Sequence, residues 1–259
     1  MPTRKAPRKP ANPDEAAFFS RYDPSQYNQV AVAVDVVLLS TRGQALQTLL
    51  VKRDDFPFKG HFALPGGFVA AKEDLEAAAA RVCKVKAGIG DLYLEQLFTF
   101  GVADRDPRMR VISVAYYALI EASRFAELVT PTTSTVATLR VPWRGEEGGA
   151  ITTHAENGPP LPLAFDHDRI LGRVVKRLRG KLSYTPLCLA LLGKTFTLLG
   201  LQHVHEAILG HALNKDGFRR KMLASGWIRP TGAWQTGVVH RPAELYTVTP
   251  EARKILAES

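Results

Sequence analysis

The chain has 259 residues, 46% of them hydrophobic and 23% charged, a composition that excludes a disordered chain and suits one or two globular domains. It contains no apolar run of about eighteen residues and no apolar segment behind its basic start, so we expect no membrane span, no secretory signal and a cytoplasmic location. Cys83 and Cys188 are too few for a disulfide framework and lie in no zinc-binding motif, which predicts two reduced structural thiols.

The net charge of +9 is unevenly distributed along the chain. Residues 166–259 contain 15 Lys and Arg against 7 Asp and Glu, a net charge of +8, which leaves 19 against 18 in residues 1–165. A basic C-terminal third predicts contact with a polyanion, most simply nucleic acid. A solvated basic surface is the alternative interpretation.

A mixed α+β domain is predicted behind a basic arm. Residues 1–27 are rich in Pro, Lys, Arg and Ala and have no periodicity, which predicts a flexible arm. Short runs of β-branched and Leu residues then predict four strands, at residues 30–40, 47–52, 94–102 and 110–120. Between the second and third strands lies an Ala-rich helical pattern over residues 72–87, which Gly88 is expected to end.

A glycine-rich loop and an amphipathic helix follow this domain pattern. Residues 143–161 contain four Gly and two Pro, which predicts a long, mobile surface loop with an insertion at residues 145–160. Residues 169–182 place six apolar side chains on one face and five basic side chains elsewhere, as in an amphipathic helix. The apolar face of this helix requires a packing partner.

Short helices and a hairpin are predicted in the last quarter of the chain. Polar residues that can cap a helix precede apolar patterns at Thr185, at Thr195 or Thr197, and at Asn214. Short strands are expected at residues 227–229, 236–240 and 244–248, around turns at residues 230–232 and 241–242. Helices followed by a hairpin on a basic background describe a winged helix-turn-helix.

The segment from Leu64 to Ile89 resembles the Nudix box, the loop-helix-loop signature of hydrolases that act on linked nucleoside diphosphates. The family pattern is Gly, five residues, Glu, seven residues, and then Arg-Glu-U-x-Glu-Glu-x-Gly-U, where U is a bulky aliphatic residue. The positions that match at the right spacing are Gly67, Glu73, Arg81, Gly88 and Ile89. The places of the three remaining glutamates are taken by Val82, Val85 and Lys86.

In the Nudix family those glutamates hold divalent metals that activate water, a role that suits hard oxygen ligands. A lysine at a ligand position repels a metal ion, so we predict no metal, no cofactor and no hydrolase activity. The alternative is a Nudix-type ADP-ribose pyrophosphohydrolase with an atypical metal site built on Glu73, Glu76 or another carboxylate. No P-loop, G-x-S-x-G or H-E-x-x-H motif offers other machinery. His203 and His205 fall on different faces of a helix and are expected at a surface or interface.

The whole chain resembles the Nudix-related transcriptional regulators of the NrtR type. The resemblance spans about Tyr22 to Val248 and includes motifs at residues 94–100, 105–108, 114–119, 163–167, 218–221 and 240–246. It implies a Nudix-like α/β/α sandwich with a mixed sheet over residues 28–183, followed by a winged helix over residues 184–259. It also implies a bacterial homodimeric repressor of NAD-biosynthesis genes, which binds a palindromic operator in double-stranded DNA and responds to ADP-ribose or a related nucleotide.

Nine residues are candidates for binding that nucleotide. Basic side chains suit the oxygens of a diphosphate, and the candidates are Arg53, Lys86, Arg105 and Arg108. Aromatic side chains can stack on adenine, and the candidates are Phe62, Phe98 and Phe100. Gly66 and Gly67 allow close approach of the backbone to a ligand. The alternatives are surface charge for the basic residues, core packing for the phenylalanines and a plain turn for the glycines.

Ten residues of the predicted winged helix are candidates for DNA binding. Cations on the helix that Asn214 caps are expected at the major groove, namely Lys215, Arg219, Arg220 and Lys221. Wing contacts are expected from Thr236, His240 and Arg241, and contacts to backbone phosphates from Thr195, Thr197 and Gln202. Phe218 is expected in the core.

Two further points concern nucleic-acid binding. The basic arm can reach a minor groove through Arg4, Lys5, Arg8 and Lys9, with an unbound tail as the alternative. A module that binds RNA or protein through the same basic domain is a third interpretation of the chain. Trp227 and Trp234 form no obvious stacking platform for single strands, which counts against it.

Overall fold

The computed structural model describes residues 13–27, 29–90, 92–128, 134–239 and 241–258. Its α-helices are α1 (Pro13–Arg21), α2 (Leu75–Ala87), α3 (Ala122–Ala126), α4 (His167–Lys181), α5 (Leu198–Leu209), α6 (Lys215–Ala224) and α7 (Pro250–Glu258). Its strands are β1 (Ala31–Arg42), β2 (Ala45–Lys52), β3 (Phe62–Ala63), β4 (Gly66–Phe68), β5 (Glu95–Phe100), β6 (Val111–Leu119), β7 (Ser134–Arg140), β8 (Thr152–His154), β9 (Ile228–Trp234) and β10 (Glu244–Val248). Short 3-10 helices lie at Pro24–Gln26 and Leu187–Leu191. No helix in these ranges is long and apolar enough to cross a bilayer.

Residues 1–30 form a unit of their own, and its described part contains a helix that the sequence analysis missed. Pro13 occupies the first helical position of α1 and Arg21 lies in its last turn, where a cation complements the helix dipole. The rings of Tyr22 and Tyr27 stack at 6.0 Å beyond it. The basic residues predicted for the arm, Arg4, Lys5, Arg8 and Lys9, lie outside the described residues.

The first part of the larger unit is a mixed sheet with the strand order β5-β6-β1-β2-β7-β8. β1 pairs with β6 in parallel, and the other pairs are antiparallel, including short β3 beside β2 and β4 beside β1. The four strands predicted from sequence are confirmed, as is Gly88 at the end of α2, where it adopts φ +68°. Strands β7 and β8 were not predicted.

Helices cover both faces of this sheet because β1 is apolar on both sides. Side chains of successive residues point to opposite faces of a strand. Val34, Val36 and Leu38 pack in the core beneath α2, whereas Val37 and Leu39 pack in a second core with α4. This sandwich of helices around a mixed sheet confirms the α+β class and the Nudix-like architecture.

The expectation of a mobile loop at residues 143–161 is wrong. β8 lies within it, and Ile151 and Thr153 are buried. The chain passes directly over α4 at Gly172, where an added Cβ would overlap the carbonyl oxygen of Gly149. Gly149 has a φ of +127°, a conformation that side chains disfavour, so its glycine permits this close approach. The glycines that suggested mobility are instead what allows the loop to pack.

The last part of the chain forms the predicted winged helix. Asn214 caps α6, accepting a hydrogen bond from the backbone of Gly217 at 2.8 Å, and Phe218 is buried, as expected. Thr197 rather than Thr195 caps α5, through a 3.0 Å bond from the backbone of Gly200. Helix α7 beyond the hairpin was not predicted.

The predicted wing is correct as a hairpin of β9 and β10 but wrong in detail. The expected turn at residues 230–232 lies within β9, whose register with β10 shifts between Glu244 and Tyr246. Gly232, at φ +77°, supplies the left-handed conformation of this bulge. Residues 236–239 form no strand, and His240 lies outside the described residues.

One of the two hydrophobic cores extends from the sheet into the winged helix. It joins Leu50 of the sheet and Leu171 of α4 to Leu201 of α5 and Phe218 of α6. Because this core is continuous across residue 184, it marks no domain boundary there. The domain limits predicted at residues 28–183 and 184–259 therefore stay predictions.

The close approach at Gly172 predicts an asymmetric effect of two alanine substitutions in α4. Gly172→Ala should destabilise the protein by about 1–3 kcal/mol, since backbone must move to admit the methyl group. Gly180→Ala is the matched control, because its methyl would meet only the flexible carboxylate of Glu146 and alanine favours a helix. Thermal and urea unfolding measure both, and equal stability of the two variants would contradict the packing of the loop on α4.

Candidate functional site

A cavity of about 220 Å³ opens beside β1 and β4, at the start of α4. Five of the nine predicted ligand residues line it, namely Arg53, Gly66, Gly67, Arg105 and Arg108. The sequence analysis missed other lining residues, which include Asp35, Phe68, Asp106, Phe165 and His167. Asp35 could have been predicted from sequence, because it is the only charged residue within the apolar run of β1.

The floor of the cavity is a buried ion cluster. Arg105 is 9% exposed, and its Nε and Nη2 donate to the two carboxylate oxygens of Asp166 at 3.0 and 2.6 Å. Its Nη2 also lies 3.4 Å from Oδ2 of Asp35, which accepts a 2.5 Å bond from the hydroxyl of Ser113. Burial opposes the charge of Arg105, but the two carboxylates outweigh it and raise the pKa of the guanidinium. Arg105 is therefore neutralised by its neighbours, and its predicted role with a diphosphate gives way to a structural one.

His167 completes this floor as a neutral side chain. Its Nδ1 accepts the backbone N–H of Leu64 at 2.9 Å, which leaves the proton on Nε2, 3.6 Å from Oδ1 of Asp35. Complete burial lowers the pKa of His167 more than the adjacent carboxylate of Asp35 raises it. The cluster of Asp35, Arg105 and Asp166 thus carries one net negative charge.

Gly66 is required by this arrangement. It lies opposite Asp35 in the β1–β4 pairing, and an added Cβ would overlap Oδ1 of that residue. Gly67 next to it has room for a Cβ at ordinary contact distance from Val82. The first glycine is therefore fixed by the Asp35 carboxylate, and the second is available for approach to a ligand.

Two arginines and an aromatic ring form the mouth of the cavity. The guanidinium of Arg53 lies 4.9 Å and that of Arg108 5.8 Å from the centre of the Phe165 ring. Arg108 is also paired with Asp106 at 2.7 Å, whereas Arg53 donates to the backbone carbonyl of Pro57 at 2.8 Å. Phe165 adopts a φ of +56°, which is rare for a bulky residue and marks a position held by its surroundings.

Lys86 lies in a second cavity of about 480 Å³. This cavity shares Arg53, Leu64 and Gly66 with the first one, so the two adjoin. Lys86 is exposed at the end of α2 and has no carboxylate partner within the described ranges. The predicted basic residues Arg53 and Lys86 therefore stand along one continuous cleft.

The three predicted adenine-stacking residues are not in this cleft. Phe62 packs against the core beside α4, and its backbone pairs with Leu163. Phe98 and Phe100 contact each other edge to face at 5.4 Å on β5, and Arg173 of α4 lies 4.3 Å from the Phe98 ring. Within one chain these rings pack on the side of α4 and do not line the cleft, and their contact with adenine stays a prediction.

The Nudix-box residues have structural roles here. Arg81 forms two bonds to the Glu73 carboxylate at 2.7 and 2.8 Å and donates to the carbonyl of Phe68 at 3.0 Å. The bonds from Arg81 and from the backbone of Ala70 lower the pKa of Glu73 to about 2. This pair holds the loop after β4 against the start of α2.

The donor set does not fit the divalent metals of the Nudix hydrolases. Val82 is buried in the core beneath α2, and Val85 is 71% exposed. Across the described ranges, no three His, Cys, Asp or Glu side chains are grouped as metal ligands.

The predicted DNA-binding cations are all exposed on α6. Phe218 and Met222 face the core, and the exposed cations of the helix are Lys215, Arg219, Arg220 and Lys221. Thr195, Thr236 and Arg241 are exposed as well, the last two in the wing. The solvent-exposed surface of α6 is therefore positively charged, and its buried side chains, Phe218 and Met222, pack in the core.

Two residues of α5 have roles different from those expected. Gln202 is 8% exposed and donates to Glu206 at 2.8 Å and to the carbonyl of Leu213 at 3.0 Å, so it braces the turn before α6 rather than facing a phosphate. His205 is 4% exposed, beside the thiol of Cys188 at 3.1 Å and the ring of Phe218. Burial lowers the pKa of His205 to about 4, so it is a neutral core residue and no surface group.

Comparison with known proteins assigns families to both parts of the chain. Residues 30–143 match the NUDIX domain, and residues 188–248 match the NrtR DNA-binding winged helix domain. The chain is 37% identical over 235 residues to the ADPR responsive transcriptional repressor NtrR of Acinetobacter baylyi, covering 90% of this chain and 87% of the relative.

Solved structures give the same result. Shewanella oneidensis NrtR, solved in complex with a 27mer DNA, matches with a TM-score of 0.67 and 31% identity over 86% of this chain and 96% of its own. A MutT/nudix family protein from Enterococcus faecalis matches with a TM-score of 0.71 and 26% identity over 91% of this chain and 93% of its own. These similarities extend across both the sheet and the winged helix.

The ion cluster predicts that two neighbouring arginines differ in their effect on stability. Arg105→Met should destabilise the protein by about 3–5 kcal/mol, because it leaves Asp35 and Asp166 buried without their cation. Arg108→Met should destabilise the protein less, by about 1–2 kcal/mol, because Arg108 is 44% exposed and the single buried carboxylate it leaves, Asp106, keeps the backbone N–H of residue 108. Urea unfolding at pH 7 measures both, and a small effect of Arg105→Met would mean that the cluster does not hold the start of α4.

Proposed function

The chain belongs to the NrtR-type family of Nudix-related transcriptional regulators, and from that premise we propose that it is an ADP-ribose-responsive repressor that binds DNA through α6 and the wing. The regulated genes are those of NAD metabolism, since ADP-ribose is a breakdown product of NAD. A two-fold dimer of the chain would bind a palindromic operator. The main support for this proposal is that α4 runs from the candidate ligand cavity to the winged helix.

Helix α4 connects the ligand cavity to the winged helix. Its start contributes Asp166 and His167 to the floor of the cavity. Near its other end, Arg179 is 7% exposed and donates to the carbonyl of Ile208, at the end of α5, at 2.8 Å. The helix has 15 residues, so about 22 Å separate its ends. A ligand that moves the start of α4 therefore acts directly on the helix that supports α6.

The charges of the cleft indicate how ADP-ribose would lie in it. The floor has a net negative charge, which repels phosphate. The carboxylate oxygens of Asp35 and Asp106 in this cavity can accept hydrogen bonds from ribose hydroxyls. The adjoining cavity is lined by three cations, Lys52, Arg53 and Lys86, against two carboxylates, Asp54 and Asp55. Arg53 and Lys86 form no carboxylate bonds in the described structure, so they suit the diphosphate. We place the ribose at the floor and the diphosphate across the two cavities.

We further propose that the nucleotide is bound without being hydrolysed. The support is the buried Val82 and exposed Val85, which replace two of the glutamates that hold metals in the hydrolases. A sensor must also release its ligand intact if the ligand concentration is to set the repressor equilibrium.

The proposal predicts the outcome of a DNA titration with duplex from the region upstream of the protein's own gene. At a stated salt concentration, binding should be selective for that sequence, and saturating ADP-ribose should weaken it by about tenfold or more, within the usual range of allosteric coupling. Fluorescence anisotropy measures the affinity, and chromatography should recover the nucleotide as ADP-ribose in the presence of Mg²⁺. Non-selective binding together with release of AMP would instead identify a hydrolase.

Paired variants separate the two sites in this experiment. Arg219→Ala combined with Arg220→Ala should abolish selective DNA binding and leave ADP-ribose binding unchanged, because both side chains are exposed on α6. Arg53→Ala should have the opposite effect, with weaker ADP-ribose binding and unchanged DNA affinity in its absence. DNA affinity that survives the α6 pair would contradict the placement of the recognition helix.

A further inference from the structure

A third cavity, with a strongly basic lining, lies between the sheet and the winged helix. It has a volume of about 880 Å³ and is bounded by the ends of β2 and β7, the segment after β7 and the C-terminal end of α5. Its lining includes Arg140, Arg144, Arg179 and His211, and the described part of the lining contains no Asp or Glu. It shares no residue with the cleft at the start of α4.

Arg179 is a buried cation with no carboxylate partner in the described structure. Its Nε donates to Ile208, and its Nη1 donates to the carbonyls of Trp143 at 3.1 Å and Gly145 at 3.0 Å. All of these acceptors are neutral, and burial lowers the pKa of the guanidinium. A buried charge without a counter-ion is costly, so an anion that reaches Arg179 would gain unusually strong binding.

Part of the Arg179 guanidinium remains free to bind such an anion. Its Nη2 makes no hydrogen bond to any described residue and lies beside Gly210, where an added Cβ would be 3.1 Å away. Gly210 lines the cavity together with Arg179. A side chain 93% removed from solvent thus leaves an unpaired donor at the wall of a cavity that contains two further arginines.

The surrounding groups favour an anion over other ligands. Arg140 and Arg144 are exposed and form no ion pair with a described residue, so their donors are available. The carboxylate of α5 nearest along the chain, Glu206, is held by Gln44 at 2.6 Å and by Gln202, and it does not line the cavity. Guanidinium groups match the oxygens of phosphate in pairs, which suits a ligand with two or more phosphate groups.

We propose that this cavity is a second ligand site, which binds a small anion with two or more phosphate groups between the sheet and the winged helix. Arg179 provides the buried contact, and Arg140 and Arg144 close over the outer phosphate. Because the lining comes from β7 on one side and α5 on the other, the bound anion would tie these elements together. The phosphates can belong to free pyrophosphate or to a nucleotide, and the chemistry of recognition is the same.

The experiment is a calorimetric titration of the full-length protein with pyrophosphate and, separately, with ATP. Arg140→Ala combined with Arg144→Ala should weaken pyrophosphate binding by about tenfold or more, since two charge-assisted contacts are lost. Both side chains are exposed, so the variant should stay folded, which its melting curve checks. Equal loss for both anions identifies the phosphates as the recognised group, and much tighter ATP binding by the wild type identifies a nucleotide as the source.

Two controls distinguish this site from the other basic surfaces. Arg169→Ala combined with Lys194→Ala removes the same charge from exposed positions outside the cavity and should leave the pyrophosphate affinity unchanged. The α6 pair Arg219→Ala with Arg220→Ala should also leave it unchanged. The proposal is overturned if the Arg140 and Arg144 variant binds pyrophosphate like the wild type, or if the loss follows the α6 arginines instead.

Discussion

The start of α4 depends on the ion cluster in which Arg105 is held between Asp166 and Asp35. Burying these charges is favourable only when each one is paired. Asp166 accepts two N–H groups of Arg105, and Asp35 faces Arg105, the hydroxyl of Ser113 and Nε2 of His167. The cluster connects β1, the loop after β5 and α4. It also forces glycine at position 66 and leaves a negative floor, so the same interaction shapes the fold and the cavity.

From that fixed start, α4 carries the structure of the cavity to the winged helix. Its apolar face packs in the core that also includes α5 and α6. Its basic end inserts Arg179 beneath α5, and the loop over residues 143–161 closes on it at Gly172. The two candidate sites are therefore connected by a rigid element, which gives the proposed repressor a physical route for coupling ligand and operator.

Much of this could be predicted from sequence, because short-range patterns determine it. The strands of β1, β2, β5 and β6, the cap at Asn214 and the cations of α6 follow from periodicity and local chemistry. The loop at residues 143–161 could not, since its glycines suggest mobility until the contact with Gly172 is known. Gln202 and His205 look like surface residues until their buried partners are known. Asp35 meets the neighbouring residues Asp166 and His167 from a distant part of the chain.

The central claim is that nucleotide binding at the start of α4 and DNA binding by α6 are one coupled equilibrium. Linkage requires that, if ADP-ribose weakens operator binding by a given factor, the operator weakens ADP-ribose binding by the same factor. The most direct measurement is calorimetric titration of ADP-ribose into the full-length protein, free and saturated with its operator duplex. The account predicts an affinity about tenfold or more lower in the DNA complex. Equal affinity in both states would contradict it, whatever each site binds alone.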